Sequence, residues 1–227
     1  LGATGALLVA DLKQPKRFLY VLMRPQWKSW LVRGAYFVTV FGAFLPVVWL
    51  LSVFGAPRDV QLAFGGVITA LGLAVAGYTA LLFAQARGRD YWQNPLLVVT
   101  MIIDALVAGI AVCVMLGLFG LPASLPGAFG LVRSVLLIST IVLIVIQLAE
   151  MLSRHQTKNA EIAARAITRG PYAAWFWIGC VLLGLIAPLV LIGADKELQF
   201  AVPLLLMVGI IAKNHVLVQA PQRVPLS

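Results

Sequence analysis

The sequence predicts an all-α protein, a polytopic bundle of transmembrane helices, and three observations carry that prediction. Hydrophobic residues make up 62% of the chain and charged residues 11%, less than half the roughly 25% charged fraction of an ordinary soluble domain. Apolar runs reach the roughly 20 residues that cross about 30 Å of hydrocarbon at 1.5 Å per residue. Nothing alternates in the ten-residue manner of a membrane β-barrel. Helices remain, because a helix satisfies its own backbone hydrogen bonds in lipid.

Taken in order, Leu1 to Ala10 is apolar, too short to span and followed at once by Asp11, and it reads as the tail of a partial first helix. A loop from Asp11 to Arg33 leads to six complete spans expected near 34–54, 60–86, 95–120, 128–150, 172–194 and 198–220, within a single transmembrane domain over residues 1–227. Pro95 opens the third of these spans and Glu150 ends the fourth. Pro46, Pro188 and Pro203 lie within spans and are expected to kink them. Gly65, Gly66, Gly72 and Gly77 read as small residues that let helices approach closely. No signal peptide pattern is visible at the start.

The formal net charge of +9 invites a nucleic-acid reading, but the charges fall in the loops. All but three of the 17 lysines and arginines lie in alternate loops: 11–33, 87–94, 151–171 and the tail. The intervening loops, Gly55 to Asp59, Gly120 to Gly127 and Ala194 to Glu197, are short and nearly neutral. This is the charge asymmetry of membrane topology, not of phosphate binding, and it places the basic loops on the cytoplasmic side of the cell inner membrane. Within loop 151–171, Glu161, Arg165 and Arg169 alternate with Ala160, Ile162, Ala163, Ala164 and Ile167 at helical spacing, which predicts a short amphipathic interfacial helix.

Cys113 and Cys180 both fall in spans, with no CxxC and no Cys/His cluster, so the sequence offers no ligand set for a zinc, an iron–sulfur cluster or a c-type haem. Ionisable residues within spans are costly, by about 2.5–3.5 kcal/mol on insertion scales, so each is a candidate for function. Asp104 lies close to mid-span and reads either as a packing carboxylic acid or as a proton relay. Arg133 lies near a span start and can snorkel. Lys213, Asn214 and His215 read as an interfacial anchor. Tyr78 and Gln85 are seven residues apart, two helical turns, and share a face. Tyr78 lies about 9 Å inside its span end at 1.5 Å per residue, where a phenol can bond a ligand carbonyl. Arg87, Arg89, Asp90, Tyr91 and Trp92 form a charged and aromatic loop between two spans.

These residues together resemble the NrfD/PsrC family, the membrane subunits of polysulfide-reductase-type respiratory complexes. Asp11-Leu12 followed by Pro15 and Arg17-Phe18 is similar to one family element. Ser29 with Gly34-Ala35-Tyr36 is similar to a second. Tyr78-Thr79 with Phe83, then Trp92 and Pro95, is similar to a third. The resemblance implies a quinone-reactive anchor, with two packed four-helix bundles in the full-length protein, that exchanges electrons between menaquinone or ubiquinone and a ferredoxin-like [4Fe–4S] subunit serving a molybdopterin catalytic subunit. No haem or cluster is expected in this chain. On this reading Tyr78 and Gln85 face the quinone, Asp104 and Asp11 are candidates for proton transfer, and Arg17, Arg87, Arg89 and Trp92 form the docking face. The sequence departs from the family at Ala220-Pro221-Gln222, where a glycine is usual in the middle. A secondary transporter using Asp104 in proton coupling is the alternative. A di-haem cytochrome b would need two pairs of helix histidines, and only His155 and His215 are present.

Overall fold

The structure, a computed structural model, describes residues 23–118, 129–152, 157–192 and 201–225. The expected partial first helix, Asp11 and Arg17 lie outside the described residues, as does the side chain of Arg133. The regular secondary structure of the described residues is all helical, with no strand among them. Four helices are long and apolar enough to cross a membrane: Trp30–Val53, Arg58–Ala84, Leu96–Leu116 and Ala201–Gln222. Two further apolar stretches, Ser134–Glu150 and Trp175–Leu191, are shorter. The protein divides into two compact units, Leu1–Gln85 and Ala86–Ser227.

The first unit is a helical hairpin of α1 (Trp30–Val53) and α2 (Arg58–Ala84). Its turn needs Gly55, whose φ of 65° lies where a side chain would be strained. The α1 helix runs through Pro46. The two helices meet where Gly34 leaves room for a ring: a Cβ on Gly34 would collide with the Tyr78 side chain. At Gly65 and Gly66 an added Cβ would meet nothing within 4 Å among the described residues.

The second unit starts with a short 3₁₀ turn, Asp90–Gln93, and continues with α3 (Leu96–Leu118), α4 (Phe129–Leu152) and α5 (Lys158–Thr168). A π-helix, Trp175–Ile186, then runs directly into α6 (Ala187–Ile192), and α7 (Ala201–Gln222) completes it. The α5 helix is the amphipathic helix expected in the loop. Thr157 caps it by accepting from the Ala160 amide at 3.2 Å, Ala160, Ala163 and Ile167 are buried, and Glu161 pairs with Arg165 one turn on.

The π-helix is the unforeseen element. Pro188, fully buried, follows it by two residues and cannot donate to the carbonyl four residues earlier, at Gly184, so the ladder is interrupted at that point. Gly184 is also where this segment meets α7 most closely: a Cβ on Gly184 would strike the Gly209 backbone, and one on Gly209 would strike Gly184. Backbone against backbone cannot give way, so both positions require glycine. Around this contact the core is apolar, built from Val107, Leu136, Leu143, Leu185, Val202 and Leu206.

Candidate functional site

In the first unit, the Tyr78 ring is wedged against Gly34 and is half-buried. Its hydroxyl meets no hydrogen-bond partner among the described residues, so the phenol is oriented by packing and keeps its O–H to donate. Gln85, exposed at the end of α2, is differently employed. Its Oε1 accepts from the Trp30 amide at 3.0 Å and its Nε2 faces the Lys28 carbonyl at 3.5 Å. It closes the N-terminus of α1, where backbone amides lack helical partners. Tyr78 and Gln85 thus sit on one hairpin, with the amide holding the two helix ends and the phenol available.

The charged loop is more inward than its composition suggests. Trp92 is 8% exposed and its indole N–H donates to the Leu217 carbonyl at 2.8 Å. Arg89 donates to the carbonyls of Pro221 and Val224, satisfying acceptors left open at the end of α7. Arg87 is exposed. Asn94 caps α3 by accepting from the Leu96 amide at 3.0 Å, and its Nδ2 reaches Glu150 at 3.2 Å. Arg89 and Trp92 therefore fasten the loop to α7, and Arg87 is the member of the set that faces outward. Burial, reinforced by the Glu150 carboxylate, pushes the Tyr91 phenol well above its ordinary value.

The chemistry of the second unit concentrates at Asp104. Its Oδ1 and Oδ2 lie 2.7 and 2.6 Å from the Lys213 ammonium, and the two side chains are 7% and 14% exposed. The expected interfacial role of Lys213 is replaced by an ion pair within the helix packing, about 12 Å along α3 from its start at 1.5 Å per residue. A charge at this depth is tolerated when an opposite charge and good geometry compensate its desolvation. His215, two residues on, turns another way and packs its ring 4.9 Å from Trp175.

Three cavities lie at or near the pair. One of about 20 Å³ is walled by Asp104, Lys213, Gln147 and Cys180 among apolar neighbours. A second of about 40 Å³ is walled by Lys213, Gln147, Glu150, Tyr91, Asn94 and Thr100. A third of about 300 Å³ is bordered by Gln147, Glu150 and Tyr91 and by α5 through Glu161, Arg165 and Arg169. Gln147 borders all three. Sequence reasoning overlooked Gln147, Asn94 and the partnership of Lys213, although a mid-span carboxylate calls for a cation and Lys213 is the lysine set in the last apolar run.

The sequence matches the family described as Polysulphide reductase, NrfD, over residues 1–220. It is also similar to the C subunit of the polysulfide reductase of Wolinella succinogenes, at 27% identity over 215 residues. That alignment covers 84% of this protein and 66% of the relative, just short of two thirds of its length. Since the family match runs through the Tyr78 hairpin, the Arg87–Trp92 loop and the Asp104–Lys213 pair alike, the protein belongs to the NrfD family.

Proposed function

We propose that this protein is the quinone-reactive membrane subunit of a respiratory reductase complex. Electrons pass between menaquinone or ubiquinone in the membrane and a ferredoxin-like [4Fe–4S] subunit, which serves a molybdopterin catalytic subunit. The observation that carries the reading is Tyr78 in an NrfD-family protein: a half-buried phenol, fixed by Gly34 and without an internal partner among the described residues. Such a phenol suits a quinone carbonyl, donating one hydrogen bond from a preset position. When bound, a quinone supplies two-electron, two-proton chemistry. Gln85 contributes at the rim, holding the Trp30 end of α1 in place.

The membrane setting follows the same reading: six spans, the two shorter apolar stretches included, with the basic loops on the cytoplasmic face of the inner membrane. The Wolinella relative is by its name one lettered component of a polysulfide reductase, which implies further subunits there and, by extension, partners for this protein. Arg87 supplies an outward cation for a partner, backed by Arg89 and Trp92, with Arg17 as a further docking cation. Asp104 and Asp11 are the proton-exchanging carboxylates.

The reading is tested on the intact complex purified from membranes. Added quinol should reduce iron–sulfur clusters in a co-purifying subunit, seen by electron paramagnetic resonance, and a quinone-site inhibitor should block that reduction. A protein that purifies without a cluster-bearing partner, or clusters whose reduction ignores quinol and inhibitor, would remove the proposal.

A further inference from the structure

The Asp104–Lys213 pair is enclosed, yet it is not isolated from the polar end of the unit. Lys213 walls both inner cavities: one contains Asp104, the other Glu150. Lys213 is thus joined to the first carboxylate at 2.6–2.7 Å and shares a cavity of about 40 Å³ with the second, which also accepts from the Asn94 side-chain amide. A site needs about 10–15 Å³ of this kind of volume and two or more polar partners to hold a water. Both inner cavities meet the two conditions. Gln147, which borders all three cavities, can donate to and accept from such waters. Tyr91, Gln147 and Glu150 line both the inner 40 Å³ space and the outer 300 Å³ space, together with the apolar Ile167 and Phe176.

We propose that Lys213 is the switching cation of a proton-loading site, reached from the α5 side through waters held by Gln147. In the unloaded state the ammonium is bound to the Asp104 carboxylate. Arrival of one proton converts that carboxylate to a carboxylic acid, and the ion pair loses its Coulombic hold. Lys213 then turns across the inner cavity to the carboxylate of Glu150. Loss of the proton from Asp104 draws the ammonium back. One proton enters and one leaves, with no electron transferred. The other titratable groups facing this path are Tyr91, held neutral, and Cys180 in the inner cavity. Glu161, Arg165 and Arg169 stand at the outer space.

This deepens the assignment of Asp104 as a proton-exchanging group and is independent of where a quinone binds. The test is infrared difference spectroscopy of the intact complex in lipid, titrated with acid and exchanged into D₂O. Wild type should show a protonated-carboxyl band that appears on acidification. The band should vanish in Asp104→Asn and shift in Asp104→Glu, which retains an acid should the asparagine variant fail to fold. Gln147→Leu should slow its D₂O exchange at least about tenfold, or ~1.4 kcal/mol in the exchange barrier, while Gln147→Asn exchanges as wild type. A band indifferent to both Asp104 variants, or one exchanging as fast in Gln147→Leu, overturns the proposal. Cluster reduction by quinol is read separately, by electron paramagnetic resonance on the wild-type complex, so failure here and failure of the quinone reading are distinguishable.

Discussion

Lys213 is the residue whose role changed most between sequence and structure. Followed by Asn214 and His215, it resembles the anchoring ends of many spans, and nothing local says otherwise; its partner lies 109 residues away. Removing it alone strands Asp104, so Lys213→Met should destabilise the protein by about 3 kcal/mol or more, seen as a lower melting temperature in detergent. Asp104→Asn combined with Lys213→Met should recover a good part of that loss, because no buried charge is left unpaired. Tyr91 supplies a pH prediction. Its folded pKa is raised by burial and by Glu150, so its contribution is complete below the ordinary phenol value near 10 and is lost as pH climbs above it. Tyr91→Phe should flatten the alkaline end of a melting-temperature profile. The sequence singles out Tyr78 by its depth and by the polar hinge that follows it, and the structure adds the contact of its ring with Gly34. The employment of Gln85 as a cap was not, because sharing a face with Tyr78 says nothing of which backbone amide comes within reach.

Helix positions were legible because apolar run length and the loop charges both report them. The α5 helix was equally readable, since Ala160, Ala163 and Ile167 recur at helical spacing and are the residues it buries. The π-helix was not, because its residues, Trp175 to Ile186, carry the same apolar pattern as any span and only the tertiary contact with α7 distinguishes them. That contact makes a prediction at the level of elements. Gly184→Ala or Gly209→Ala forces two backbones apart and should lower the melting temperature as an overpacking change costing about 1–3 kcal/mol. Gly65→Ala, with open space around it, should lie within about 0.5 kcal/mol of wild type. Equal effects at the two sites would refute the close approach.

At the scale of the molecule, membership in the NrfD family and the outward position of Arg87 lead to a prediction about assembly. Arg87→Glu should reduce the amount of the proposed cluster-bearing subunit recovered with this protein at low salt, and the difference from wild type should shrink at high salt, since exposed charge pairs are screened. Arg89→Ala should act differently, loosening the end of α7 and lowering stability before it affects docking. The central claim is that Tyr78 holds a quinone, and titration of a quinone-site inhibitor into the intact complex tests it most directly, comparing wild type with Tyr78→Phe. Loss of one hydrogen bond worth about 0.5–1.5 kcal/mol predicts a dissociation constant weakened by about 2–10-fold, with assembly and melting temperature unchanged. Identical affinity in the two proteins would contradict the account and remove Tyr78 from the site.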